Sequence, residues 1–235
     1  MASVPLLTGE DLDALRQLDT CMVANVVEKF KLRLRNTGFT HGGIHCMFPE
    51  SPPMVGYALT ARLRAGEPPI MGGTFHDRSG FWNRILQSPA PRILVLEDMD
   101  HPPGLGAFVG RVHGAILKAL GCIGHVTNGA VRELPSVAPM GIQLFAGNVA
   151  VSHAYAHIFD IGAEVKVDGL EIRPGDLLHG DRHGVLNVPI SIAAQIPGVA
   201  KILERRHQRI VEFCDSNSFS VAGLSEMLEG FRKSD

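Results

Sequence analysis

Cysteine is scarce and scattered: Cys21, Cys46, Cys122 and Cys214 are the only four, and no two of them make a C-x-x-C pair. That spacing argues against a disulfide framework and against a zinc knuckle, and it suits a reducing compartment. Neither sign of charge prevails, because 22 basic residues face 24 acidic ones, giving a net charge of −2 and a pI near 6.6. No global field draws such a chain to nucleic acid or to an anionic membrane. No apolar run approaches the roughly 18 residues that span a bilayer, and the opening MASVPLLTGEDLD lacks a basic segment followed by an apolar core. A cytoplasmic protein without nucleic-acid or membrane partners is expected. There is no Ser-centred nucleophile elbow, no P-loop and no cysteine in an activating setting, so covalent catalysis has no support. Repeats and low-complexity tracts are missing too. What remains is a chain of 235 residues, 45% hydrophobic and 20% charged, enough for one compact domain with an appended arm.

Thr8 and Asp11 form a capping-box pattern ahead of Leu12, Leu15 and Leu18, which predicts a first helix. Asp19 or Thr20 caps a second, running through Val23, Val26, Val27 and Phe30. Val55, Tyr57, Leu59, Ala61 and Leu63 alternate with the period of a half-buried strand. Gly66 to Ser79 reads as a loop and Phe81 to Leu86 as a short helix. Ile93 to Leu96 is a continuous apolar run, as expected of a strand covered on both faces. Val109, Val112, Ile116, Leu117 and Leu120 form a helical stripe that stops at Gly121, and Cys122 to Thr127 is the next buried strand. Together they make a βαβ unit with a right-handed crossover. After a short strand at Ile142 to Phe145 the pattern turns antiparallel. Asp168-Gly169 sits between Val165, Val167 and Leu170, Ile172, a strong hairpin signal. Tight turns at Pro174-Gly175-Asp176 and Arg182-His183-Gly184 set off Leu177-Leu178 and Val185 to Val188, and Pro197 to Cys214 is an amphipathic helix.

Gly104-Leu105-Gly106 invites a dinucleotide-binding reading, but the turn is long, and the strand after the helix ends at Thr127-Asn128 without a ribose-binding carboxylate. The general feature that survives is an anion site made of backbone N–H groups at a helix start. The segment Asn128 to Glu133 leaves a parallel strand on the same side, so both loops are expected to face one crevice. There Arg132 can hold a carboxylate by two parallel hydrogen bonds, and Glu133 can hold a hard divalent cation. That pairing suits a 2-oxo acid; the plainer reading is an exposed ion pair after a turn. His153 and His157 share a face if their segment is helical, and His179 and Asp181 share a strand face. With His183 they offer a transition-metal set, against the alternative of ordinary hydrogen-bonded histidines.

Taken in order, Asp19-Thr20 with Ala24-Asn25-Val26, Met54 to Thr60, Ala107 to Gly110, Gly121 to Glu133, and Pro174-Gly175-Asp176 through Asp181-Arg182-His183-Gly184-Val185 to Pro189 resemble the RraA-like family. That family includes regulators of ribonuclease activity and divalent-metal-dependent 4-hydroxy-4-methyl-2-oxoglutarate aldolases. The resemblance implies an α/β fold, a swivelling β/β/α-type sandwich with a mixed sheet and a central βαβ unit. It assigns residues 1–195 to that domain and residues 196–235 to a helical arm on the same or a neighbouring subunit. It also implies a homotrimer or hexamer with the ligand crevice between subunits. Carried over by position, Arg132 and Glu133 are the catalytic pair. Arg132 takes the substrate carboxylate, Glu133 binds the metal, and the amides around Gly106, Ala107 and Phe108 hold the pyruvyl group. Magnesium or manganese would polarise the 2-oxo group and stabilise the enolate left by retro-aldol cleavage or by oxaloacetate-type decarboxylation. The rival implied by the same family is a non-catalytic regulatory ring without the metal. Four positions depart from the aldolase pattern: Asn25, Asn128 and Glu133 replace aspartates, and Arg111 stands where an acid is usual.

Overall fold

A computed structural model describes residues 6–69 and 79–233 of the chain. The expected loop at Gly66 to Ser79 lies largely outside the described residues. In chain order the elements are α1 (Gly9–Arg16), α2 (Thr20–Lys29), β1 (His45–Cys46), β2 (Met54–Arg64), α3 (Ser79–Gln87), β3 (Arg92–Asp98), β4 (Ala107–Val109), α4 (Arg111–Ala119), β5 (Cys122–Thr127) and β6 (Ala130–Val131). They continue with α5 (Leu134–Val137), a single 3-10 turn (Ala138–Met140), β7 (Gln143–Ala146), β8 (Asn148–Val149), β9 (His157–Ile161) and the hairpin β10 (Val165–Val167) and β11 (Leu170–Ile172). The chain closes with β12 (Leu177–Asp181), β13 (Gly184–Val188), α6 (Ile190–Ala193), α7 (Ile196–Cys214) and α8 (Val221–Lys233).

The main sheet is mixed, in the order β1-β7-β5-β3-β2-β12-β13. Strands β2, β3, β5 and β7 run parallel, β12 is antiparallel to β2, and β13 is antiparallel to β12. With 11 residues β2 outruns any one partner: β12 pairs its first residues and β9 its last. A second, small sheet of parallel strands has the order β4-β6-β8.

Alternation alone misreads β2. Both of its faces are buried rather than one, because the intervening residues Gly56, Ala58 and Thr60 are small and also covered. Val55 and Tyr57 pack under α1, α2 and α7, while Leu59, Ala61 and Leu63 join the cluster beneath α3 and α4. On the opposite face Met54 and Ala58 lie in one cluster with Val165, Val167, Leu170 and Ile172 of the hairpin. Each aliphatic side chain taken fully out of water in these layers contributes about 1.5–3 kcal/mol.

The helix ends follow the expected chemistry. Thr8 and Asp11 close a reciprocal capping box on α1, and the Asp19 carboxylate accepts the Met22 N–H at 2.7 Å to cap α2. At the expected hairpin, Asp168 and Gly169 both have positive φ, 47° and 83°, as a two-residue primed turn requires. One helix boundary differs. The stripe drawn from Val109 places that residue in α4, but Val109 ends β4 and the helix starts at Arg111. Val112 then faces outward at 68% exposure. Among the described residues, no helix is long and apolar enough to cross a membrane.

Candidate active-site cleft

The small sheet exists to bring two loops together. β4 and β6 pair in parallel, the Arg132 N–H extends their ladder to the Val109 carbonyl at 3.0 Å, and the Ala150 N–H reaches the Val131 carbonyl at 2.9 Å. Their carboxyl ends therefore open side by side, where ligands collect in open α/β sheets. A cleft of about 260 Å³ lies there, lined by Ala107, Phe108, Gly110, Val112, His113, Arg132, Glu133, His153 and Ala156. That volume suits a small acid better than a nucleotide.

Gly110 is the hinge of this arrangement. It is the N-cap of α4 and offers no side chain to cap it. The cap comes from Glu133 instead, whose Oε2 accepts the Arg111 N–H at 2.9 Å. To reach there Glu133 adopts the left-handed conformation, φ 55°, which a non-glycine residue holds only when its surroundings fix it. A Cβ on Gly110 would sit 2.5 Å from Glu133 Oε2 and 2.9 Å from Arg132 Cγ, so only glycine permits the approach. The second oxygen of Glu133 faces Arg132 Nη2 at 3.6 Å, an ion pair longer than a hydrogen bond. Arg132 Nε is buried with no hydrogen-bond partner among the described residues. An orphan donor beside a cleft is where an acceptor arriving with a ligand is expected.

Of the three residues expected to present amides, Ala107 and Phe108 line the cleft. The Ala107 N–H is already given to the Ser152 carbonyl at 3.1 Å. Gly106 is a packing position instead: a Cβ there would lie 2.5 Å from the His153 carbonyl and 2.9 Å from Ala65. The loop before it is held by two aspartates. Asp98 Oδ2 accepts the Gly104 N–H at 2.8 Å and Oδ1 the Asp100 N–H at 3.0 Å, while Asp100 Oδ2 takes the Ala65 and Gly66 N–H groups, each at 2.7 Å. Burial pushes the Asp98 carboxyl above the usual range despite these donors.

The four histidines of the proposed metal set are dispersed. His153 is on the cleft, with Nδ1 donating to the Ala154 carbonyl at 2.7 Å, and His157 is in β9, so no helix aligns them. His179 is fully buried between Thr20 Oγ1 and the Leu15 carbonyl, and burial holds its pKa below the usual value. His183 bonds Asp181 Oδ1 at 3.0 Å. Burial alone would raise the Asp181 carboxyl, but the Thr20 and His183 N–H donors outweigh it and lower it. Among the described residues no three His, Cys, Asp or Glu side chains converge on a point where a cation could sit. With both Glu133 oxygens turned toward N–H groups, one chain's donors do not fit a magnesium or manganese ion.

Sequence reasoning missed His113. It is the third residue of α4, and its ring stacks on Phe108 with centroids 4.5 Å apart and planes inclined by 19°. The stripe of Val109, Ile116, Leu117 and Leu120 runs through position 113 as well, but one histidine among those apolar residues carries no signal of its stack on Phe108.

A mixed sheet buttressed by helices, with a cleft at the carboxyl ends of short parallel strands, defines an α/β sandwich protein with a strand-end site. The chain belongs to the RraA-like family, whose aldolase/RraA model matches residues 23–187. A curated relative from Halalkalibacterium halodurans, named "Putative 4-hydroxy-4-methyl-2-oxoglutarate aldolase", is 33% identical over 84 residues, covering 35% of this chain. The match spans 40% of that relative's length. Among solved structures, an uncharacterised protein from Pseudomonas syringae pv. tomato superposes with a TM-score of 0.72 at 22% identity over 97% of both chains. RraAS2 of Streptomyces coelicolor, described as an unusual member of the RNase ES inhibitor RraA protein family, gives 0.67 at 18% identity over 87% of this chain and 96% of its own. These likenesses are to the fold.

Proposed function

We propose that the cleft binds a small 2-oxo acid and acts on it as a lyase, breaking or protonating a carbon–carbon system through a pyruvate-type enolate. The observation that carries this is Arg132, whose buried Nε lacks an acceptor among the described residues at the wall of a cleft sized for a few heavy atoms. A guanidinium fork matches two oxygens side by side, the edge that a 2-oxo acid, its enolate and oxalate all present. The named aldolase relative supports the same chemistry. The aldolases' divalent cation is left out of the reading, because Glu133 serves as the cap of α4. Ring assembly as a trimer or hexamer goes with the reading, since family-type crevices lie between subunits.

Calorimetric titration with oxalate, for the wild type and Arg132→Lys, tests it. An ammonium keeps the charge but not the planar fork. Losing one charged hydrogen bond costs about 1.5–3 kcal/mol, roughly ten- to more than a hundredfold in affinity. Equal affinity in the folded variant removes Arg132 from the site. A second reading, a non-catalytic ring, is favoured by the engagement of Glu133, and it is met if oxalate produces no heat with the wild type.

A further inference from the structure

His113 lines the cleft from the first turn of α4. Its imidazole is half-buried and lies flat on Phe108, whose ring is itself braced edge-on by Phe81 with centroids 6.3 Å apart and planes at 86°. Two core aromatics thus fix the plane of the imidazole at the wall of the cleft that Arg132 also lines. The other cleft imidazole, His153, is on an exposed loop, with Nδ1 committed to its neighbour's carbonyl. A group that transfers a proton to carbon must be held in one geometry, and of the two His113 is the one so held. Meanwhile the cleft's carboxylate, Glu133, is taken up by the Arg111 N–H and by Arg132. What the cleft offers a small anion is a guanidinium and imidazoles rather than a cluster of oxygen ligands for a cation.

We propose that His113 is the proton donor to C3 of the enolate, so that this cleft performs its lyase step by proton transfer, without a divalent cation. The proposal rests on the reading that Arg132 binds a 2-oxo acid there. In the decarboxylation direction the C3–C4 bond breaks and carbon dioxide leaves. The bonding pair becomes the C2=C3 double bond, and the carbonyl pair moves onto the 2-oxo oxygen beside Arg132. The imidazolium of His113 then gives its proton to C3, the carbonyl reforms, and water reprotonates the ring. Run on pyruvate, the same step in reverse takes a methyl proton to the imidazole and returns a solvent proton, so bound pyruvate exchanges its methyl hydrogens with water.

The test is proton NMR of pyruvate in deuterium oxide containing EDTA, with the full chain, beside oxalate calorimetry on the same samples. The wild type is expected to deplete the methyl signal faster than a protein-free control, at a rate that added magnesium does not raise. His113→Asn is expected to slow exchange by about a hundredfold or more, the low end of what a positioned acid–base group supplies, while oxalate still binds measurably through Arg132. His113→Gln repeats the measurement should the asparagine variant melt early. Exchange that needs magnesium, exchange undiminished in a folded His113 variant, or loss in His153→Asn alone overturns the proposal while leaving the Arg132 site standing. Failure of the wild type to bind oxalate removes the Arg132 reading itself, and this proposal with it.

Discussion

His125 shows at the scale of one residue how this protein's interior constrains its chemistry. It lies in β5, almost wholly buried, with Nδ1 donating to the Leu94 carbonyl at 3.0 Å. Burial pushes its pKa from 6.5 down to about 4, only partly opposed by that hydrogen bond. The folded state therefore stays neutral where the unfolded chain takes a proton. The contribution is fully present above pH 6.5 and drains away as the pH falls toward 4. By pH 4.5 this one group removes about 2–3 kcal/mol of stability. In His125→Gln, whose amide can still donate to Leu94, the fall in urea-unfolding free energy between pH 7.5 and 4.5 should be smaller by that amount. Equal losses in the two proteins would show that another group drives acid unfolding.

The adjacent ends of β3 and β5 make the same point for an element. The side chain of Asn128, which follows β5, behaves as an extra strand residue. Oδ1 accepts the Asp98 N–H at 2.7 Å and Nδ2 donates to the Asp98 carbonyl at 2.9 Å. A carboxylate can do only the first of these, so Asn128→Asp sets an oxygen against a carbonyl and should cost about 1–3 kcal/mol. Thermal melts and urea curves measure it; an unchanged midpoint would mean that the staple carries no load. Much else at this scale was readable in the chain. Ile93 to Leu96 and Cys122 to Thr127 announce buried parallel strands because nothing polar interrupts them, and Asp168-Gly169 announces its hairpin because few other pairs tolerate two positive φ values. The site was less legible. Strands β4, β6 and β8 have only two or three residues, too few to display a period. The left-handed Glu133 and the donor side of Asn128 depend on partners distant in sequence. Arg132 and Glu133 could be nominated from their position after a buried strand, whereas the capping of α4 by Glu133 and the stacking of His113 needed the fold.

For the whole molecule the unfinished surfaces matter most. Strand β8 is an outer strand of the small sheet, Val149 on it is half exposed, and Val151 beyond it is 97% exposed. At the far end, α7 buries Ile196, Ala200 and Leu203 against α1 and α2, while α8 folds back so that Phe213 meets Phe219 and Arg206 and Arg209 lie over Phe231. Ile202, Val211 and Val221 still face outward. Open strand edges and apolar side chains of this kind are usually covered by symmetric assembly. Sedimentation at micromolar concentration is expected to give a trimer or hexamer, and a stable monomer would contradict an intersubunit crevice.

The cap on α4 bears on how such a site can change over time. Glu133 holds the main-chain N–H of residue 111, not its side chain. Any residue except proline supplies that donor, so the identity of position 111 is uncoupled from the helix it begins. Exchange of Arg111 for an acid would reverse the charge at the start of α4 and leave that backbone hydrogen bond in place. Gly110 and Glu133, by contrast, are tied to each other, because any side chain at 110 would meet the Glu133 carboxylate.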